Sequence, residues 1–254
     1  MKRVVVKVGS AVLTQDGVIA LDRMRALVGF LAELKKENEV ILVSSGAVAA
    51  GYTKLKLDRS VLKNKQALAA IGQPVLMKTY AKKFAEQEII TAQVLVTAAN
   101  FSKPDDVQRI KNTVDTLLSS GVIPIVNEND ATATEELVLG DNDQLSAYMT
   151  KHTASDMLII LSDIDAYYDS DPRQNPHAKI LKVVNSIDKD ELEKDVTPNN
   201  VFATGGIVTK LKAADYLLNA GIDMFLSSGF DLTNVKSFML DGNHIGGTFF
   251  TKGE

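Results

Sequence analysis

Cysteine is absent from all 254 residues, which rules out disulfide scaffolds, thiolate zinc sites and cysteine nucleophiles. Histidine is scarce: His152, His177 and His244 lie far apart, without the Ser or Glu neighbours of common hydrolase and zinc motifs, so each reads as structural. No Gly-rich loop ends in Gly-Lys-Ser/Thr, and no spaced GxGxxG follows the first apolar run, so phosphate handling here needs another arrangement. The 28 Lys and Arg are dispersed against 32 Asp and Glu for a net charge of -4. Without a dense basic block, nucleic acid is not expected as a partner. No apolar stretch approaches the roughly 20 residues that span a bilayer, and Val4-Val5-Val6 after Met1-Lys2-Arg3 is too short for a signal peptide. The chain is therefore expected to be soluble and cytoplasmic, with no membrane partner. Internal repeats and low-complexity tracts are also missing.

What is present is a hydrophobic content of 45% with 24% charged residues, enough for one large domain or two closely packed lobes. Short apolar runs of strand length recur at 4–6, 40–43, 93–96, 123–126, 157–161 and 224–226. Between them lie helical stripes. One carries Leu21, Met24, Leu27, Val28, Leu31 and Leu34 and ends at Lys35 and Lys36; another runs from Val107 through Ile110, Val114, Leu117 and Leu118, entered at Pro104-Asp105-Asp106. Continuous apolar strands interleaved with amphipathic helices predict an α/β fold, a three-layer α/β/α sandwich with a mainly parallel central sheet.

Polar residues follow each apolar run: Lys7-Val8-Gly9-Ser10, Ser44-Ser45-Gly46-Ala47, Thr97, Asn127-Glu128-Asn129-Asp130, Ser162-Asp163 and Ser227-Ser228-Gly229. Any one of them is explained by a turn or a helix cap. In an open parallel sheet, however, the carboxyl ends share one edge where ligands bind, so these residues are expected to converge there. Residues 186–200 turn polar and read as a short surface helix and loop leading into Thr204-Gly205-Gly206-Ile207-Val208-Thr209-Lys210, where glycines at a helix start suit a phosphate.

Lys7 is costly to bury on an apolar strand without an anionic partner, although its stem alone can pack with the amine in water. Lys210, in the first turns of a helix, opposes the helix dipole and gains only if an anion is near. In Gly140-Asp141-Asn142-Asp143, each aspartate alone is a good helix cap. Together with 127–130 the segment suits orienting lysines, coordinating magnesium through waters, or holding a substrate ammonium group.

These blocks resemble the amino acid kinase family, and within it the members that phosphorylate the side-chain carboxylate of L-glutamate at the start of proline synthesis. The resemblance rests on Lys7-Val8-Gly9-Ser10, Ser44 through Gly51 (Ser-Ser-Gly-Ala-Val-Ala-Ala-Gly), Asn127-Glu128-Asn129-Asp130, Gly140-Asp141-Asn142-Asp143, Asp169-Ser170-Asp171-Pro172-Arg173 and Thr204-Gly205-Gly206 with Lys210. It covers nearly the whole chain in order. It implies that Lys7 and Lys210 contact the transferring phosphoryl group with Asp143 between them. It further implies that Ser45, Gly46, Asp130, Asp141 and Asn142 serve the glutamate side. Lys7, Gly9, Ser162, Asp163 and the 204–210 run (Thr204, Gly205, Gly206, Ile207, Val208, Thr209, Lys210) would serve ATP. Magnesium is implied as cofactor, with no protein residue assigned as its ligand. One kinase domain over 1–254 follows, with an acceptor lobe to about residue 150 and a nucleotide lobe beyond.

The resemblance also implies a homodimer or homotetramer, feedback inhibition by proline, and a transient encounter with the reductase that consumes glutamyl phosphate. Two features depart from the family pattern. Ser162 and Ala166 stand where Thr and Gly are usual, and the C-terminal module resembling RNA-binding domains that many members carry does not follow. A sister kinase for N-acetylglutamate, aspartate, carbamate or a nucleoside monophosphate would share both lysines, as would a non-catalytic sensor on the same fold. Ser10 after Gly9, where the acetylated-substrate kinases resemble one another in paired glycines, and an acidic Asp130 suited to a free ammonium group favour glutamate.

Overall fold

A computed structural model describes residues 1–15, 17–132, 142–193 and 206–253. The chain opens with β1 (Lys2–Val8), α1 (Ser10–Leu13), a small hairpin of β2 (Thr14–Gln15) and β3 (Val18–Ile19), α2 (Leu21–Leu34) and β4 (Asn38–Ser44). There follow α3 (Ala47–Tyr52), α4 (Leu62–Ala85), β5 (Thr91–Val96), α5 (Ala98–Phe101), α6 (Pro104–Ser119) and β6 (Ile123–Glu128). Beyond these come α7 (Asn142–His152), β7 (Met157–Ser162), β8 (Val183–Val184), α8 (Lys189–Glu193), α9 (Ile207–Asn219), β9 (Asp223–Ser228), α10 (Thr233–Leu240) and β10 (Thr248–Phe250).

The main sheet has the order β5-β6-β4-β1-β7-β9-β10-β8. The six long strands from β5 to β9 pair in parallel, and β10 runs antiparallel to β9. All six apolar runs anticipated from sequence fall inside these parallel strands, and the expected three-layer α/β architecture with a mainly parallel sheet is the observed one. The helical stripe at 21–34 is α2, and the run entered at Pro104 is α6.

Alternation along β1 sorts its residues between two cores. Val4, Val6 and Val8 join the layer formed with α2, α4 and α10. Val5 joins the layer of α6, α7 and α9, and the same alternation turns Lys7 toward α7 and α9. Its position in the sheet centre, flanked by β4 and β7, buries it to 3% exposure. The opposite end of β1 is tied by charge of a structural kind: Arg3 reaches Glu39 at 2.8 Å and Asp115 at 2.7 Å.

The long helix α4 has no counterpart in the sequence reading. Gly72 and Pro74 stand inside it, and both residues ordinarily mark the end of helical segments. Its buried face repeats at steps of four through Leu68, Gly72, Leu76, Tyr80 and Phe84, with a glycine where an apolar side chain would complete the stripe. That glycine has a packing reason. A Cβ on Gly72 would lie 1.8 Å from the Ala47 carbonyl oxygen, and one on Gly51 would lie 1.9 Å from that of Leu68. The backbones of α3 and α4 therefore touch directly, the first half of α4 running against α3 with Leu68 at its end and Gly72 at its start.

Because no side chain fits between them, Gly72→Ala is expected to destabilise the fold by about 3 kcal/mol through overpacking. The urea unfolding midpoint measures it; a midpoint equal to that of the unsubstituted chain would mean the helices separate without cost.

Candidate active site

Six parallel strands deliver their carboxyl ends to one edge, and β1 lies at its middle. Lys7 is the penultimate residue of β1, two residues before Gly9, whose N–H donates to the Leu161 carbonyl at 3.0 Å. Gly9 has an ordinary φ of -73°, and a Cβ there would make ordinary contacts, 3.6 Å from the Leu161 carbonyl oxygen and 3.9 Å from Lys7 Nζ. On the layer that Lys7 faces, α7 begins at Asn142 and α9 at Ile207. Asp143, in the first turn of α7, extends one carboxylate oxygen to Lys7 Nζ at 2.5 Å and the other to Lys210 Nζ at 3.1 Å. The Thr209 hydroxyl is 2.9 Å from the same carboxylate, and Lys210 also lies 3.4 Å from the Gly206 carbonyl.

Asp143 is wholly buried, and Lys210 is exposed by only 2%. Two ammonium groups sharing one carboxylate leave this cluster with a net positive charge. Two buried amines gathered on a single carboxylate make this a place suited to an anion at the sheet edge. The start of α9 adds its backbone N–H groups and dipole to the same region.

On the β4 and β6 side the residues are polar and mostly uncharged. Gly46 caps α3 in the left-handed region at φ +105°, where a side chain would be strained; Ser45 precedes it. Asn142 Nδ2 lies 2.9 Å from Ser45 Oγ and 3.1 Å from Asn127 Oδ1. Asp130 stands just beyond β6, half-buried and not hydrogen-bonded to that pair. Burial pushes its carboxyl up to about 6, against a smaller opposing pull from the Lys65 ammonium. On the β7 and β9 side, Ser162 donates to Asp163 at 3.0 Å, and Gly229 N–H donates to the Ser162 carbonyl at 2.7 Å.

The structure thus joins Lys7, Asp143 and Lys210 in direct contact and pairs Ser45 with Asn142. It sets Gly9, Gly46, Asp130, Ser162 and Asp163 at the same sheet edge, with Gly206, Ile207, Val208 and Thr209 at the opening of α9. Asp141, Thr204 and Gly205 lie outside the described residues. None of the histidines is in the cluster. His152 stacks near Phe101, His244 packs against Phe225 and Phe238, and His177 is exposed. Three contributors were not singled out from sequence: Gln73, Asn127 as a bonded partner, and the Thr209 hydroxyl as a ligand of Asp143. Asn127 stood in a quoted motif without a role; Gln73 sits in α4, which was not anticipated, so no signal pointed to it.

The sequence matches the profile described as "Amino acid kinase family" over residues 2–228. It is 54% identical to the glutamate 5-kinase of Wolinella succinogenes across 100% of this chain and 99% of that one. Identity is 51% to the glutamate 5-kinase of Leishmania donovani, covering 98% and 95%. Among solved structures, an isopentenyl phosphate kinase superposes with a TM-score of 0.71 at 16% identity, over 98% of this chain and 100% of that one.

A carboxylate whose folded-state value is raised holds its proton more tightly folded than unfolded, so its ionisation subtracts stability as pH rises from about 4 to 6. Asp130→Asn removes that loss. In the ligand-free protein at pH 7.5 the substitution is expected to raise the melting temperature by about 3 °C, allowing for Asp130's partial exposure. The gain should shrink toward pH 4. An unchanged or lower melting temperature at pH 7.5 would mean that Asp130 is not strained by burial.

Proposed function

The chain belongs to the amino acid kinase family and groups there with the glutamate 5-kinases, phosphorylating the γ-carboxylate of L-glutamate to L-glutamyl 5-phosphate; from that premise we propose how its residues divide the work. ATP is the phosphoryl donor. Lys7 and Lys210 hold the phosphoryl group as it moves, and Asp143 keeps their two amines aimed at it. The supporting observation is that two buried lysines from distant segments meet on the two oxygens of one buried aspartate.

The chemistry explains why no base is needed. A carboxylate is already a nucleophile at neutral pH. The obstacle is repulsion between it and the triphosphate, about 4 kcal/mol per pair of charges at 4 Å with an intermediate effective dielectric. Phosphoryl transfer is in-line and depends mainly on positioning and charge neutralisation. Lys7 comes from the strand bordering the β4 side and Lys210 from the helix preceding β9, so cations serve both the attacking and the leaving oxygens. Ser45, Gly46, Asp130, Asp141 and Asn142 hold glutamate, with Asp130 and the Asn142 carbonyl suited to its ammonium. Ser162, Asp163 and residues 204–210 hold the nucleotide. Residues to about 150 then act as the acceptor lobe and the remainder as the nucleotide lobe.

Among the described residues no three acids cluster as a metal site, and Asp143 already serves two lysines. Magnesium therefore fits this edge as an ion carried by the ATP phosphates and water, neutralising phosphate charge. We further propose a cytoplasmic homodimer or homotetramer. Proline, which shares an ammonium and a carboxylate with glutamate, would inhibit at the acceptor site, and the labile product would pass by transient contact to its reductase.

Trapping acyl phosphate with hydroxylamine, in the presence of ATP and magnesium, reads the reaction directly. Glutamate should give hydroxamate, while N-acetylglutamate and aspartate should give little. Lys7→Ala and Lys210→Ala should each lower kcat by about 10² to 10³, the scale of deleting one transition-state donor. Asp143→Asn should lower kcat with little change in the glutamate KM, whereas Asn142→Ala should raise that KM. Near-normal turnover in both lysine variants would discard the mechanism.

A further inference from the structure

One buried group at the acceptor edge has no place in the reading above. Gln73, on α4, is 8% exposed, and its Nε2 has no hydrogen-bond partner among the described residues. A buried donor left unfilled is expensive in a helix that has only to pack. Gln73 Oε1 accepts from Asn127 Nδ2 at 2.9 Å. That bond is the far end of a row of side chains that reaches Ser45.

Side-chain amides can usually be turned either way, since their oxygen and nitrogen look alike. Here two backbone groups decide the matter. The Glu128 N–H can only donate, and it donates to Asn127 Oδ1 at 2.9 Å. Asn127 must therefore present Nδ2 to Gln73. The Ser44 carbonyl can only accept, and it lies 3.3 Å from Asn142 Nδ2. Asn127 Oδ1 at 3.1 Å and Ser45 Oγ at 2.9 Å lie within reach of that same nitrogen, whose two N–H groups are shared among the three acceptors. Two consequences follow from the donor and acceptor inventory of these groups. Asn142 keeps its carbonyl oxygen for a ligand donor. Ser45, having accepted, keeps its hydroxyl proton for a ligand acceptor.

We propose that Gln73 is a positioning residue for acceptor selectivity: by accepting from Asn127 Nδ2 it holds in place the Asn127–Asn142–Ser45 row, whose polarity the Glu128 N–H and the Ser44 carbonyl set and which matches a free ammonium group and a carboxylate on the same acceptor. The inference rests on Ser45 and Asn142 as acceptor-binding residues. Without the Gln73 oxygen, Asn127 Nδ2 is a buried donor with nowhere to go. The row then relaxes, and discrimination between an acceptor that carries an ammonium group and one that lacks it weakens. Glutarate, with the same carbon chain and both carboxylates but no ammonium, is the probe.

The test is steady-state kinetics with hydroxylamine trapping, using glutamate and glutarate on the full chain. Gln73→Met, similar in size, is expected to raise the glutamate KM about tenfold and to lower the glutamate-to-glutarate ratio of kcat/KM about tenfold. Saturated kcat and the ATP KM should stay within about twofold. Gln73→Glu, which retains an accepting oxygen, should recover most of both losses. A packing role predicts the reverse, with Met tolerated and Glu damaging. If Gln73→Met fails to fold, Gln73→Leu is read in the same way. The proposal falls if Gln73→Met leaves the glutamate KM and the selectivity ratio unchanged while Ser45→Ala and Asn142→Ala raise the KM; the acceptor site itself then stands. Should those two variants also be silent, both readings fall together.

Discussion

A carboxylate with a lysine on each oxygen, shut away from water, is the constraint around which this molecule is arranged. Lys7, Asp143 and Lys210 come from a central strand, the first turn of one helix and the first turns of another. Each alone would be a poor residue to bury. Together they gather two ammonium groups on one carboxylate. Two cations on one anion suit the cluster to the phosphate role proposed for it, in contrast to Arg3, which has two acidic partners at the other end of β1.

The sheet separates the two sides of the chemistry. Strand β1 is flanked by β4 on one side and β7 on the other. The polar residues after β4 and β6 fall to one flank of the lysines, and those after β7 and β9 to the other. The lysines gather where phosphate is expected, while the flank proposed for the acceptor combines amides and hydroxyls held in one hydrogen-bonding direction with the carboxyl of Asp130. The Gly51 and Gly72 contact between α3 and α4 underlies this flank, because it sets Gln73 beside the segment that carries Ser45 and Gly46.

An isopentenyl phosphate kinase shares the architecture at 16% identity, which carries the fold alone. Glutamate 5-kinases share about half of all residues over nearly the full chain. The likeness in fold therefore says nothing of the acceptor, which in the proposed reading is set by the side chains at the sheet edge.

Much of this was legible in the residues. Strands and amphipathic helices announce themselves through local periodicity, so β1, β4, β5, β6, β7, β9, α2 and α6 could be read directly. The polar residues ending each strand pointed to one shared edge by a general property of parallel sheets. Helix α4 escaped because Gly72 and Pro74 are local signals of a break, while the reason for the glycine is contact with a helix elsewhere in the chain. The row from Gln73 to Ser45 escaped for the same kind of reason. Its members lie 54, 15 and 97 residues apart in sequence, and no window along the chain contains them. The sequence by itself determined the elements, their order and the charged residues available. Only the tertiary structure decided which charges touch, which donors remain unfilled and where a side chain has no room, because those are distances between segments that periodicity does not encode.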